Sequence, residues 1–240
     1  MIVRNMSKSH EGKSILSGIS FQADPGEFIA LVGASGSGKT TLLRCLTLKD
    51  SWDQGEFVYE GKDLLKANLW EKFRVKSRWA FLEENPNINP NKTAVRNVLG
   101  ARWQHMPIWR KITRRSSMDE HFLASDFLEK VGLLDKGDAK VEKLSGGEKQ
   151  RVALAKALVQ EAKMICADDP VKGLDPQSVE RIMQDFRKIA EKEKIIVICA
   201  MQQLELAERF ATRIWGLKDG KIMLDIPARR LTLREKNMIF

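Results

Sequence analysis

The sequence predicts an α/β fold with a mainly parallel sheet, a small antiparallel sheet and an inserted helical lobe. Three observations predict it. A glycine-rich turn, Gly33-Ala-Ser-Gly-Ser-Gly-Lys-Thr-Thr41, follows the apolar run Phe28-Ile-Ala-Leu-Val32 and opens a helical pattern. From residue 145 onward, continuous apolar runs alternate with helical patterns, as in a parallel sheet covered on both faces. Between residues 85 and 144 that alternation stops, and helical periodicity follows Asn85-Pro-Asn-Ile-Asn-Pro90. A single domain over 1–240 is expected, with 1–84 and 145–226 as the core, 85–144 as the lobe and 227–240 as a polar, loosely held tail.

Each element has its own warrant. Ile15-Leu-Ser-Gly-Ile-Ser-Phe21 reads as a strand, Asp24-Pro-Gly26 as a turn and Phe28–Val32 as a buried strand. The helix from Lys39 carries Leu42, Leu43 and Leu46, and Gly55-Glu-Phe-Val-Tyr-Glu-Gly61 closes a strand with a turn. In the lobe, Leu123, Phe127, Leu128 and Val131 recur at helical spacing. Helices at 148–160, 177–191 and 203–210 precede strands at Met164–Ala167, Ile195–Ala200 and Arg213–Leu217. Lys218-Asp-Gly-Lys221 turns the chain into a last strand, Ile222–Ile226.

Composition narrows the function classes. No run approaches the ~18 consecutive apolar residues of a membrane span, and Met1-Ile-Val-Arg-Asn5 does not resemble a signal peptide, so a cytosolic chain is expected. Cys45, Cys166 and Cys199 are far apart in apolar stretches, which suits core residues rather than a disulfide or zinc framework. His10, His105 and His121 are equally scattered. The formal charge of +9 suits a polyanionic partner such as nucleotide or anionic lipid, and no nucleic-acid-binding motif accompanies it.

The turn at 33–41 carries the most chemistry. Gly33, Gly36 and Gly38 let backbone N–H groups of Ala34, Ser35 and Ser37 turn toward a phosphate chain. Lys39 supplies a point charge for the β- and γ-phosphates, Thr40 offers a hydroxyl to Mg²⁺, and Thr41 extends the helix start whose dipole faces the same anion. The pattern implies a P-loop nucleotide-binding core. Asp168, at the end of an apolar strand, is placed to hold Mg²⁺ directly or through water. Leu144-Ser-Gly-Gly-Glu148 opens another helix, with Ser145 as N-cap and Gly146 and Gly147 exposing N–H groups. Two phosphate grips on one chain suggest a head-to-tail dimer that sandwiches nucleotide.

With these motifs in view, the chain resembles the ATP-binding subunit of an ABC transporter over nearly its whole length. Residues 33–41 match the family's Walker A motif, Asp168 its Walker B carboxylate, Leu144–Glu148 its signature with Glu148 in place of Gln, and Gly173-Leu-Asp175 its D-loop. Two stretches, Asn97–Arg110 and Arg213–Thr232, resemble the ATPases of phosphonate importers. The resemblance implies ATP and Mg²⁺ as ligands, and a second ATP-binding subunit, most simply another copy. It also implies a membrane permease, a solute-binding protein acting indirectly, and a peripheral location on the cytoplasmic side of the membrane.

Four positions depart from the family pattern. Asp169 stands where a general-base Glu is usual, Gln202 at the switch histidine, Glu84 at the Q-loop glutamine and His10 at the aromatic that stacks on adenine. Asp169 keeps a carboxylate but loses one methylene of reach, and Gln202 keeps hydrogen bonds but not charge. Glu84 keeps an oxygen for Mg²⁺ yet adds negative charge beside the phosphates, to be relieved by protonation or by the metal. Two activities follow: slow hydrolysis, or ATP binding as a switch with little hydrolysis. A soluble module docking on a cytosolic enzyme complex is the alternative to an importer subunit. The segment with Arg102, Trp103, Trp109, Arg110, Lys111, Arg114 and Arg115 is either a solvated face or a docking surface near the permease or anionic headgroups.

Overall fold

The structure is a computed structural model that describes the backbone of residues 1–105 and 118–240 and the side chains of 1–101 and 121–240. The side chains of the basic, tryptophan-containing segment between Arg102 and Arg115 lie outside the described residues. The elements run β1 (Ile2–His10), β2 (Lys13–Gln22), β3 (Phe28–Val32), α1 (Lys39–Leu46), β4 (Gln54–Tyr59), β5 (Lys62–Asp63), α2 (Leu69–Lys76) and β6 (Trp79–Leu82). There follow α3 (Ala94–His105), α4 (Met118–Lys130), α5 (Gly146–Val159), β7 (Met164–Asp168), α6 (Pro176–Glu193), β8 (Ile196–Met201), α7 (Leu204–Phe210), β9 (Arg213–Lys218), β10 (Lys221–Pro227) and α8 (Leu233–Ile239). Two compact units form: Met1–Phe81 with Lys163–Asp169 and Phe186–Phe240, and Leu82–Ala162 with Pro170–Asp185.

The first unit holds two sheets. One has four strands in the order β2-β1-β4-β5, with β1 antiparallel to both β2 and β4. The other has six in the order β10-β9-β3-β8-β7-β6, where β3 runs parallel to β8 and β9, and β7 parallel to β8. All residues of β3 and β8 are buried, which is why these strands read as unbroken apolar runs. Leu42, Leu43 and Leu46 of α1 join Leu31, Met164, Ile198 and Trp215 in one core cluster. Phe21 seals one flank of it, with its ring centroid 4.2 Å from that of Trp215. Cys45, Cys166 and Cys199 are free and buried, and burial pushes the Cys45 thiol up to about 11, so these side chains behave as small neutral hydrophobes.

The hairpin between β9 and β10 buttresses the glycine-rich turn. Asp219 and Gly220 both have positive φ (49° and 72°), as a two-residue hairpin turn of this hand requires. The Gly220 N–H donates to the Ser37 carbonyl at 3.1 Å, and its own carbonyl accepts from the Ser17 N–H at 2.9 Å. A Cβ at Gly220 would lie 2.1 Å from the Ile15 carbonyl oxygen. Gly220→Ala therefore combines backbone strain with a steric clash and is expected to cost at least about 2 kcal/mol. Thermal unfolding should show a Tm lower by roughly 4–8 °C for a domain of this size.

The C-terminal segment corrects the expectation of a loosely held tail. Residues 233–239 form α8, started by a capping box in which the Thr232 side chain accepts from the Glu235 N–H and the Glu235 carboxylate accepts from the Thr232 N–H. Ile239 is fully buried, and only a glycine at position 216 admits it: a Cβ there would stand 2.5 Å from Ile239 Cγ1. The Arg229 guanidinium beside Glu235 pushes that carboxyl down to about 2, so the cap stays ionised well into acid.

In the second unit, α3, α4 and α5 pack together. Val95 and Val98 of α3, Ala124 and Leu128 of α4, and Val152, Ala155, Leu158 and Val159 of α5 are buried. Leu123 and Phe127, expected on the same face as Leu128, are only half-buried. Among the described residues, no helix is long and apolar enough to cross a membrane.

Candidate nucleotide site

The glycine-rich turn sits beyond the C-terminal end of β3, where α1 begins. Gly38 is the N-cap of α1, with φ 103°, and offers no side-chain cap; the first turn carries no acidic residue. By contrast α2, α5 and α8 each start with a capping box. The amide donors of the first turn of α1 thus have no acceptor within the helix, and the dipole is uncompensated there. Gly33 is required by close approach: a Cβ would meet the Leu217 carbonyl oxygen at 2.1 Å. The Ser37 hydroxyl is buried and has no hydrogen-bond partner among the described residues.

Lys39 is buried, and its ammonium donates to the carbonyls of Gly33 at 2.8 Å and Ala34 at 2.9 Å. Burial lowers its pKa, while the carboxylates of Asp169 and Asp168 act in the opposite direction. Those two acids come from the end of β7, one strand removed from β3 in the sheet order, and Gln202 follows the end of β8 between them. The parallel ladder thus carries Lys39, Asp168, Asp169 and Gln202 to one edge of one sheet, where α/β folds bind ligands. Asp168 is half-buried and in register with Ala200. Asp169 has φ 44°, and its N–H donates to the Ala200 carbonyl at 3.0 Å. Gln202 Nε2 lies 3.5 Å from Asp169 Oδ2, the outer limit of a hydrogen bond. His10 is at the exposed tip of the β1–β2 hairpin, with Nε2 4.0 Å from Glu11 Oε1. An uncapped helix start, a buried ammonium and two carboxylates at one sheet edge fit a nucleoside triphosphate with a divalent cation.

Glu84 and residues 145–148 belong to the second unit. Glu84 Oε2 is 2.9 Å from Lys172 Nζ, so a lysine supplies the compensating charge that the sequence reading assigned to protonation or to metal. Gln150, almost fully buried, donates through Nε2 to the carbonyls of Glu83 at 3.0 Å and Glu84 at 2.7 Å and fixes that loop. Neither Lys172 nor Gln150 was legible as a partner, because 88 and 66 residues separate them from Glu84. The ion pair suggests a coupling test. Lys172→Met is expected to change ATP turnover several-fold in the native background and little in Glu84→Gln, which a double-mutant cycle on kcat/KM would read.

At the start of α5, the Ser145 hydroxyl accepts from the Glu148 N–H at 3.2 Å and the Glu148 carboxylate accepts from the Ser145 N–H at 2.8 Å. Glu148 therefore shapes this loop through a reciprocal cap, and the Ser145 hydroxyl keeps its proton to donate outward. Gly147 is held by packing, since a Cβ would meet Ser178 Cβ and Oγ at 2.7 Å. Ser178 in turn donates its N–H to Asp175 Oδ1 at 3.0 Å, so the loop at 173–175 caps the helix that supports the glycine pair.

The chain is similar to known proteins in sequence and fold. A family model described as ABC transporter matches residues 16–172. The hypophosphite import ATP-binding protein HtxD of Stutzerimonas stutzeri is 36% identical over 93% of this chain, which spans 65% of that relative's length. The phosphonates import ATP-binding protein PhnC of Lactococcus lactis subsp. cremoris is 35% identical over 95% of this chain and 93% of its own. Among solved structures, a dimeric ATP-binding cassette in a post-hydrolysis state bound to ADP and Pi is 27% identical, with a TM-score of 0.79 over 96% of this chain and 99% of that one. A second cassette in its ADP conformation, at 22% identity and a TM-score of 0.80 over 93% and 89% of the two chains, shares the fold.

Proposed function

The chain belongs to the ABC transporter family and is an ATPase; on that premise we propose that it is the ATP-hydrolysing subunit of an importer for phosphonate or a related phosphorus-containing anion. The observation that carries the reading is the presence on one chain of two phosphate-gripping loops, 33–41 and 145–148. In this reading two copies pair head to tail, and each ATP is held by the first loop of one and the second loop of the other. The substrate class rests on the relatives, which are named for phosphonate and hypophosphite import.

Each residue then has a task. Lys39 and the N–H groups of residues 34–41 bind the β- and γ-phosphates, and His10 stacks on adenine. Ser145, Gly146 and Gly147 of the partner subunit grip the γ-phosphate, with Glu148 holding their loop in shape. Asp169 accepts the proton of the attacking water, and Gln202 orients that carboxylate. Thr40 and Asp168 would hold Mg²⁺, which would supply positive charge against the phosphate oxygens when bound. Asp169, Gln202 and Glu84 each depart from the family pattern, so turnover is slow. ATP closes the dimer, closure reorients a membrane permease at the cytoplasmic face, and hydrolysis reopens it. A solute-binding protein acts upstream, and nucleic acid takes no part.

Purification of tagged, full-length protein from detergent-solubilised membranes tests this reading. Recovery of a multi-span permease, with ATP turnover raised by phosphonate and its binding protein in vesicles, is the expected result. Recovery with soluble enzymes alone would instead support a cytosolic module that uses ATP for assembly.

A further inference from the structure

We propose that α2 is a membrane-surface contact: the edge formed by Leu69, Trp70 and Phe73, with its flanking cations, rests on anionic lipid headgroups. The helix is held to the first unit by Val75, its one buried residue, and its start is fixed by a capping box between Asn68 and Glu71. Its large apolar side chains point the other way. Leu69 and Trp70 are 84% exposed and Phe73 is 66% exposed, an unusual concentration on two helical turns. These side chains do nothing for the core, so their effect on folding does not account for them.

The charge around the edge selects the occupant. Lys72, Arg74 and Lys76 lie on the same helix, while Lys66, just before it, is paired with Asp63 at 3.4 Å. The helix's one acid, Glu71, is neutralised by Lys62 at 2.5 Å. Lys72 Nζ donates to the Leu65 carbonyl at 3.3 Å and Lys76 Nζ to the Leu48 carbonyl at 3.4 Å, contacts that hold the ammonium groups near the edge without cancelling their charge. A net-positive apolar edge repels a second copy of itself. It also suits the cytoplasmic loops of membrane proteins poorly, because those loops carry an excess of Lys and Arg. Anionic headgroups complement the cations, and an indole at the headgroup level is in its preferred environment. An eight-residue helix is about 12 Å long, so it lies in the interface and does not cross it. The contact goes beyond the transport reading, since it needs no permease.

The test is sedimentation of the full-length protein with vesicles of phosphatidylcholine alone and of phosphatidylcholine mixed equally with phosphatidylglycerol. Binding is expected to the anionic vesicles only, to weaken as salt rises, and to fall roughly tenfold or more in Leu69→Ser/Trp70→Ser/Phe73→Ser. A second variant, Lys72→Gln/Arg74→Gln/Lys76→Gln, should lose anionic selectivity. Both variants should keep the circular dichroism and soluble ATP turnover of the native protein, which separates failure of this contact from failure of the transport reading. Equal binding by the triple-serine variant, equal binding to neutral vesicles, or a change in oligomeric state without vesicle binding would each overturn the proposal.

Discussion

Replacing Lys39 by Met is expected to lower ATP turnover by about 10²–10³-fold while leaving the Tm unchanged or slightly raised. The two halves of this result have separate causes. The ammonium sits inside the loop, where a fixed positive charge in a water-poor site is worth more against developing phosphate charge than it would be in solvent. Met matches the stem in length but carries no charge. Stability behaves differently because burial lowers the Lys39 pKa, and this is the largest influence on it. A base whose pKa falls on folding favours the neutral form, so its charge opposes folding at neutral pH; that opposition starts to fade as pH rises through the folded value and is gone above the unfolded one. Removing the charge removes the opposition. The same shift predicts an alkaline limb in kcat/KM that begins below the ordinary lysine value of 10.5 and disappears in Lys39→Arg. A large loss of stability in Lys39→Met would instead make the lysine a structural clamp on the Gly33 and Ala34 carbonyls.

Much of the site was readable because its signals are local. The run from Phe28 to Thr41 carries strand, turn and helix start within fourteen residues, and each glycine in it answers to a nearby steric or backbone demand. The parallel strands were equally legible, since β3 and β8 are apolar throughout and β7 is apolar up to its terminal Asp168. β1 was harder. Its register shifts between Val3 and Met6, so its two fully buried residues are three apart and break the alternation that marks a strand. α2 was hidden by its exposed apolar edge, which contradicts the pattern of a core-facing helix. α8 buries Ile239 alone, too little for a periodic signal, although Thr232 and Glu235 do spell a capping box. Glu148 follows the same rule with Ser145, a role that the usual Gln would fill equally well, so the cap was readable from the local sequence. The pairing of Glu84 with Lys172 lies beyond local reading, because it depends on how a loop after β6 meets a loop after β7 within the second unit.

Asp169→Asn should lower turnover by about 10²–10³-fold and convert the protein to a stable dimer in Mg-ATP. Light scattering would read the dimer, and monomers at every ATP concentration would count against the head-to-tail sandwich. Asp169→Glu makes the sharper argument. If reach limits the native enzyme, the added methylene moves the carboxylate toward the water and raises kcat, by up to roughly 10²-fold for a displacement near 1 Å. That gain meets a backbone cost. Asp169 holds φ 44°, a left-handed conformation that Asp tolerates better than Glu. The Glu variant should therefore lose up to ~1 kcal/mol of stability as it gains rate. Gln202→His addresses the other half of the pair, since Gln202 reaches Asp169 only at 3.5 Å and brings no charge. A protonated His there would hold the ionised carboxylate in place and share charge with the γ-phosphate. The two changes meet at one carboxylate, so their effects should exceed the product of the single gains in a double-mutant cycle. No gain from either variant or from both would mean that dimer opening, and not the water-activating step, sets the pace of this ATPase.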